Sequence, residues 1–212
     1  MTKLLHRYSF NDGTPNDSIG GMQWDGELNF GAFIANGALN FPPNTGAYLS
    51  LPGLNIFENY TSVTIEVWVT TVASQQFPRL FEFGELDGQQ YSVNVNTGYY
   101  CKGWTIEYNL ATDGFQNNQS MAESCDQANQ HIVVTMSTPG EMNLYADGTL
   151  VASLPLSETE LPPSPTFYVG KSFAETDSQF TGSISEFRIW AGAMSPVEVA
   201  QYFAWGPGKC DG

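Results

Sequence analysis

The chain has 212 residues and a net charge of −15, from 7 basic and 22 acidic side chains. This balance provides no basic stripe for nucleic acid, and it disfavours anionic membranes and polyanionic glycans as ligands. The length fits one large all-β domain, and no apolar run reaches the roughly 18 residues that insertion across a bilayer requires.

Short apolar runs bounded by Gly, Asn, Asp or Pro recur along the whole chain, which is typical of a β-sandwich or jelly roll. In the clearest run, Val63, Ile65, Val67 and Val69 occupy alternate positions, so they face one side of a strand. In chain order, the pattern predicts strands over residues 6–10, 38–41, 47–51, 63–71, 79–83, 90–94, 104–108, 130–137, 141–146, 150–154, 166–170 and 182–190.

The C-terminal part contains the one convincing helix signal. Ser195 can cap a helix, with Pro196 at its first position and Glu198 three residues after the cap. We therefore expect a helix over residues 195–203, inside a single domain 1–212 with a core of about 5–203 and a tail of 204–212. The matching alternation at the two chain ends predicts that the first strand pairs with strand 182–190.

Several motifs follow one another in a characteristic order: Asp17-Ser-Ile-Gly-Gly21, Thr64-Ile-Glu-Val-Trp68, His131-Ile-Val-Val-Thr135 and Phe167-Tyr-Val-Gly-Lys171. In this order they resemble the laminin-G-like domains of the concanavalin A-like lectin and glucanase families, over residues 5–203. The resemblance implies an all-β fold: a two-sheet antiparallel jelly-roll sandwich with one short C-terminal helix.

The resemblance also implies a secreted or cell-surface recognition domain, although the first residues lack the apolar core of a signal peptide. The leading interpretation is a non-catalytic, lectin-like domain that binds carbohydrate. Two alternatives stay open, because this fold hosts several functions. One is an adhesion or assembly module that binds extracellular proteins, and the other is a glycan-cleaving enzyme, either a glycosidase or a polysaccharide lyase.

A candidate sugar site lies around the aromatic stretch at residues 99–104. Sugars present apolar C–H faces and hydroxyl rims, so their sites pair exposed rings with amide or carboxyl groups. The expected ligand is a neutral glycan. The alternative to a sugar site is that the aromatic rings face the core between the sheets, and we favour that alternative for the tryptophan. The predicted sugar-binding residues are Tyr99, Tyr100, Trp104, Asn96, Asn117 and Asn118.

A structural Ca²⁺ site is predicted at the turn after the first strand, where four oxygen-bearing side chains crowd together. The resemblance implies that such a site lies where this turn meets the returning C-terminal strand. That strand contributes a fifth candidate ligand, Glu186. The alternative is a turn whose Asn and Asp side chains bond their own backbone. The candidate ligands are Asp17, Asn11, Asp12, Asn16 and Glu186.

The three cysteines, Cys101, Cys125 and Cys210, lack the spacing of a zinc site. Cys101 and Cys125 flank a polar segment, so we predict a disulfide between them, with two reduced thiols as the alternative. Cys210 lies in the tail and is predicted to stay outside this bond.

No catalytic motif is complete. Glu85-Leu-Asp87 begins like the carboxylate strand of related glucanases, but no second Glu follows, and Glu82 and Glu85 have the wrong spacing to share a strand face. His6 and His131 lie on predicted strands and are interpreted as packed histidines. The sequence therefore favours binding over catalysis.

Overall fold

A computed structural model describes residues 2–53, 56–72, 76–85, 91–161 and 163–209. In these ranges the chain forms β-strands, a 3₁₀ turn over Met22–Trp24 and one α-helix. The elements are β1 (Lys3–Tyr8), β2 (Glu27–Asn29), β3 (Phe33–Ala35), β4 (Ala38–Phe41), β5 (Tyr48–Leu51), β6 (Ser62–Thr71), β7 (Arg79–Gly84), β8 (Ser92–Asn96), β9 (Thr105–Leu110), β10 (Gly114–Gln119), β11 (Gln130–Ser137), β12 (Gly140–Ala146), β13 (Thr149–Leu156), β14 (Thr166–Val169), β15 (Gly182–Ala191) and α1 (Pro196–Trp205).

The strands form two antiparallel sheets. The 8-stranded sheet has the order β13-β12-β11-β6-β15-β4-β3, with β1 also paired to β15, and the 7-stranded sheet has the order β10-β9-β8-β7-β14-β5-β2. Tyr8 of β1 lies opposite Phe187 of β15, and Lys3 lies opposite Ala191. The predicted two-sheet antiparallel sandwich and the pairing of its two chain ends are therefore confirmed.

The core lies between the sheets and follows from the alternation of β6. Val63, Ile65, Val67 and Val69 are fully buried there, in one cluster with Phe81 of the 7-stranded sheet. Because successive side chains of a strand face opposite sides, this spacing decides which face of β6 meets the core. Burial of each such side chain contributes about 1.5–3 kcal/mol to folding.

Helix α1 covers the outer face of the 8-stranded sheet. Its Val199 and Tyr202 are buried in a second cluster with Trp190 of β15. The N–H of Glu198 donates to Oγ of Ser195 over 3.3 Å, and Oε2 of Glu198 accepts from the N–H of Ser195 over 2.7 Å. This reciprocal capping box confirms the predicted helix start. The helix ends at Trp205 rather than at the predicted residue 203.

Three strands escaped prediction, and two were misplaced. Strand β8 runs over Ser92–Asn96 rather than 90–94, and residue 90 lies outside the described residues. Strands β2 and β3 are short, and β10 is a largely exposed edge strand of polar residues in a segment expected to be a loop. None of them shows the apolar alternation on which the prediction rests. The first strand runs over Lys3–Tyr8 rather than 6–10, because its pairing with β15 begins at Lys3 and Phe10 has a φ of 57°.

Within the described part of the chain, no helix is both long enough and apolar enough to cross a membrane.

Candidate functional site

Polar side chains line the outer face of the 7-stranded sheet, the face that points away from the core. On β8, Val93 and Val95 belong to the core, so Asn94 and Asn96 lie on the outer face. The register of six strand pairs aligns a row of outer-face residues across the sheet, which we call the polar row. Its members are Asn117, Glu107, Asn94, Glu82, Tyr168, Ser50 and Glu27.

Arg79 brings three carboxylates together beside the polar row. Its Nη2 lies 3.1 Å from Oδ2 of Asp177 and 3.3 Å from Oε2 of Glu107, and its Nε lies 3.5 Å from Oε2 of Glu82. Burial raises the pKa of Glu82, and it outweighs the opposing effects of Arg79 and of the Phe173 N–H group. One cation among three acids leaves this region with an acidic balance, which disfavours anionic ligands.

A tight turn over residues 99–102, which we call the tyrosine turn, follows β8. The N–H of Lys102 donates to the carbonyl of Tyr99 over 3.3 Å, and Tyr100 and Cys101 between them have φ values of 50° and 59°. Turns with two left-handed residues prefer Asn and Gly. Tyr100 and Cys101 therefore carry strain of roughly 1–2 kcal/mol each.

The predicted disulfide is confirmed and holds the tyrosine turn to the segment after β10. Cys101 and Cys125 are bonded, with Cα atoms 5.4 Å apart. Strained backbone persists where the surrounding structure over-determines it, and such positions concentrate at ligand sites. Cys210 lies outside the described residues.

The tyrosine turn exposes two aromatic rings. Tyr99 is 41% exposed and Tyr100 is 54% exposed, and their rings meet edge to face with centroids 4.4 Å apart. Gly98 packs against the ends of the neighbouring strands: a Cβ there would lie 2.7 Å from Nε2 of Gln119 and 3.3 Å from Oγ1 of Thr105. The ring pair therefore stands at the end of β8, β9 and β10, beside the outer face.

The other predicted sugar-binding residues divide into two groups. Asn117 is an exposed member of the polar row. Asn96 is fully buried beneath the outer face, where its Nδ2 donates to Oδ1 of Asn94 over 3.0 Å and its Oδ1 accepts from the N–H of Gly98 over 2.8 Å. Trp104 is fully buried and donates from Nε1 to Oε1 of Gln130 over 2.7 Å. The Nδ2 of Asn118 donates to the Ser153 carbonyl of the other sheet over 2.7 Å. Trp104, Asn118 and Asn96 are thus engaged in the fold, and Asn117 is the exposed amide of this set.

Sequence reasoning missed other outer-face residues. Glu107 and Asn94 belong to the polar row, and Phe115, which is 59% exposed, lies opposite Asn109 on β9. The alternation of Val93 and Val95 with asparagines was a usable signal for Asn94. No comparable pattern marks Phe115, because β10 is polar on both faces.

Asp17, the central residue of the predicted calcium site, is a buried hydrogen-bond acceptor. Its Oδ2 lies 2.6 Å from Nδ1 of His6, and its Oδ1 accepts from the N–H groups of Arg7 and Ile19 over 3.0 Å and 2.9 Å. Burial opposes its ionisation, but these bonds outweigh burial and lower the pKa of Asp17. Gly20 permits the arrangement, because a Cβ there would lie 2.3 Å from Oδ2 of Asp17.

The other candidate calcium ligands have separate roles. Oδ1 of Asp12 accepts from N and Oγ1 of Thr14, and Glu186 is buried and accepts from Arg7 and Arg188. Asn11 and Asn16 are exposed. Throughout the described ranges, no group of three or more His, Cys, Asp or Glu side chains could hold a metal ion. These residues do not fit a Ca²⁺ cage, and calcium stays a prediction from sequence.

The residues considered for catalysis are dispersed. His6 and His131 are buried, as expected for packed histidines, and Nε2 of His131 lies 3.0 Å from Oε1 of Glu66. Glu85 is exposed after β7, and Asp87 lies outside the described residues. Glu82, also considered from the sequence, shares the outer face with Glu107 on either side of Asn94, and Arg79 contacts both carboxylates.

The two-sheet jelly roll, the pairing of its first strand with the C-terminal strand and the polar outer face define a lectin- or glucanase-like sandwich. A profile of the Concanavalin A-like lectin/glucanases superfamily matches residues 43–200. The chain therefore belongs to this superfamily. No curated protein sequence gives a significant match to the chain.

Solved structures support the same fold. Domain 4 of a GH43 extracellular arabinanase from Geobacillus stearothermophilus, solved in complex with arabinotriose, is similar at a TM-score of 0.75 and 19% identity, over 94% of this chain and 98% of that chain. The binding domain of Paraclostridial Mosquitocidal Protein 1 is similar at a TM-score of 0.75 and 14% identity, over 94% of this chain and 51% of that chain. A structure of botulinum neurotoxin type C, whose cell entry depends on interaction with two ganglioside molecules, is similar at a TM-score of 0.67 and 15% identity. The match covers 96% of this chain and 51% of that chain.

Proposed function

We propose that this chain is a secreted, non-catalytic domain that binds a neutral carbohydrate at the tyrosine turn and the adjoining outer face of the 7-stranded sheet. The observation that carries the proposal is the strained turn that exposes Tyr99 and Tyr100. A backbone conformation unfavourable to Tyr and Cys is held by a disulfide, and it presents two rings to solvent. The turn between β2 and β3 also holds an exposed aromatic residue, Phe30, at a left-handed φ of 49°, so the tyrosine turn is distinguished by its pair of rings and its disulfide.

The binding chemistry follows from the groups beside the turn. An exposed ring can stack on the apolar face of a sugar, and neighbouring amides and carboxylates can bond its hydroxyl rim. Asn117, at the exposed edge of the polar row, provides such a group, whereas Glu107 opposite it is buried and paired with Arg79. The exposed ring of Phe115 on β10 extends the apolar surface along the same face.

The charge of the chain supports a neutral ligand. Its net charge is −15, and Arg79 is already surrounded by acidic groups. Uronic or sulfated polymers would be repelled by this field. The arabinanase domain was solved with arabinotriose, a neutral sugar, which supports arabinan as the first polymer to test. The disulfide supports an oxidising, extracellular location.

Affinity electrophoresis through gels with arabinan, other neutral polymers or anionic polymers tests the proposal. We expect retardation by at least one neutral polymer, and Tyr99→Ala or Tyr100→Ala should weaken it about five- to tenfold, the value of an aromatic contact. Phe33→Ala removes an exposed ring from the other sheet and is the matched control. The absence of retardation by all neutral polymers, or equal losses in Phe33→Ala, would contradict the proposal.

Hydrolysis is the second candidate function, and the carboxylates of Glu82 and Glu107 on one face favour it. The raised pKa of Glu82 would suit a general acid. The release of reducing ends from the polymers that bind tests this candidate. A release that Glu82→Gln abolishes would establish catalysis and overturn the non-catalytic part of our proposal.

A further inference from the structure

An acidic groove of about 820 Å³ opens at the end of the sandwich opposite the tyrosine turn. The loop before β6, the end of β7, the start of β8 and the segment before β14 surround it. Four glutamates line it: Glu58, Glu85, Glu158 and Glu160. The tyrosine turn adjoins the strand ends at Asn96 and Thr105, whereas the groove adjoins the ends at Gly84 and Leu110, so the two sites are separate.

The charges of the groove lack compensation from its own walls. Among the described residues that line it, none is Lys, Arg or His. Glu158 is anchored, because both its oxygens accept from Thr112, over 2.6 Å and 2.9 Å. Glu58, Glu85 and Glu160 are exposed. The groove therefore presents a negative field, which attracts a cationic ligand.

The distribution of the glutamates argues against a metal ion as that ligand. A divalent cation needs several oxygens around one point. No group of three or more acidic, His or Cys side chains in the described ranges meets that requirement. Tyr60, Tyr91 and Leu161 add apolar surface to the same lining. Such a lining suits a long side chain with an apolar stem and a charged head, and tyrosine rings can also contact the cation itself.

A second observation at the groove is an unsatisfied hydroxyl. Ser164 is 1% exposed, and its Oγ atom makes no hydrogen bond with any described residue. Buried polar groups are nearly always hydrogen-bonded, so an orphan group calls for an explanation. Ser164 also lines the groove. An N–H group or a carbonyl of a bound peptide would satisfy this hydroxyl.

We propose that the acidic groove binds a segment of a partner protein that contains Lys or Arg. The uncompensated glutamates select the cationic side chains, the apolar wall contacts their stems, and Ser164 bonds the peptide. The volume is within the range of sites that enclose such groups. This site does not depend on the proposed carbohydrate function, since the groove and the tyrosine turn share no residue.

The binding of a fluorescein-labelled peptide of alternating Arg and Ser, followed by fluorescence anisotropy, tests the proposal. We expect saturable binding that weakens with salt and that Glu58→Gln with Glu160→Gln weakens about five- to tenfold, as for two exposed charge pairs. The matched control is Glu141→Gln with Glu175→Gln, which removes the same charge at exposed positions outside the groove. An equal loss of peptide affinity in both variants would show that net charge alone governs binding, and it would overturn the proposal.

Ser164→Ala provides a measurement that general electrostatics would not affect. Removing an unsatisfied buried hydroxyl should leave the free protein as stable as before, or slightly more stable. The same change should weaken the peptide about threefold, as expected for one hydrogen bond. Peptide binding that is unchanged in Ser164→Ala and in the groove variant would overturn the proposal. If the groove binds spermine tightly and does not bind the peptide, then the ligand is a small polyamine, and the proposal of a protein partner is overturned.

Discussion

Nδ1 of His6 lies 2.6 Å from Oδ2 of Asp17, and this buried pair fastens β1 to the turn that follows it. Asp17 also accepts from the backbone N–H groups of Arg7 and Ile19. The Asp-Ser-Ile-Gly motif thus has a physical explanation: Asp17 supplies the acceptor, and Gly20 leaves room for it. The same turn that the sequence suggests as a metal site is held by hydrogen bonds within the protein.

Asp17 should make the folded state sensitive to acid. Its pKa is lower in the folded state than the usual 3.8, so its contribution to stability is complete above that value and is lost as the pH falls through the folded pKa. Asp17→Asn should cost about 1–3 kcal/mol at neutral pH. Urea denaturation from neutral pH down to about pH 2 should show the two proteins converging in acid. A difference that does not narrow would contradict this role.

Removing calcium should leave the melting temperature unchanged. The oxygens of Asp17, Asp12 and Glu186 accept hydrogen bonds from protein groups and are not gathered around one point. Thermal unfolding with EDTA and with excess CaCl₂ tests this expectation. A metal that bound only the folded state would add about 2.7 kcal/mol at a hundredfold excess over its dissociation constant. A calcium-dependent rise that Asp12→Ala abolishes would instead support the site predicted from the sequence.

Glu66 should be essential to the eight-stranded sheet. Its buried carboxylate accepts from Nη1 of Arg188 and from Nε1 of Trp190, each over 3.1 Å, and also contacts His131. Burial opposes its ionisation, but the histidine and the arginine outweigh burial and lower the pKa of Glu66. Glu66→Gln should destabilise the protein by about 1.5–3 kcal/mol, because buried Arg188 loses one of its two carboxylate partners and keeps only Glu186.

A double-mutant cycle separates that loss from general damage to the core. Glu66→Gln combined with Arg188→Met removes both charges, so it should cost less than the sum of the two single changes. Urea denaturation of the four proteins measures the coupling free energy. Strictly additive losses would show that the two side chains do not act as a pair.

The sequence predicts what repeats and misses what depends on distant neighbours. The alternation of Val63, Ile65 and Val67 is enough to predict both their strand and its buried face. The pair of Ser195 and Glu198 is enough to predict where the helix begins. The outer-face site depends instead on register. Arg79 lies on β7 and Glu107 on β9, and the two side chains meet because both strands pair with β8 in the sheet. The order of strands in a sheet cannot be predicted from a local sequence pattern.

The same reasoning explains the partial success at the tyrosine turn. Adjacent rings in a strand face opposite sides, so the sequence predicts that at least one of Tyr99 and Tyr100 is exposed. Both are exposed, because the left-handed φ of Tyr100 breaks that alternation. Such a φ at a tyrosine cannot be predicted from residue preference, since it opposes that preference.

The disulfide should stabilise the fold and also maintain the carbohydrate site. The bonded cysteines are 24 residues apart in sequence, so replacing both with serine should cost about 3 kcal/mol on the chain-entropy account. Without the bond, the turn should relax from its left-handed conformation, and the affinity for the retarding polymer should fall as far as in Tyr100→Ala. Urea denaturation and affinity electrophoresis of the double serine variant measure the two effects.

Two further measurements make this prediction decisive. Thiol titration of the denatured, unreduced protein should find one free cysteine, and three would contradict the bond. Reduction of the wild type should reproduce both losses, whereas the serine variant should not respond to the reductant. If the variant loses stability but keeps full affinity for the polymer, then the strained turn is a structural link and does not position Tyr99 and Tyr100 for sugar.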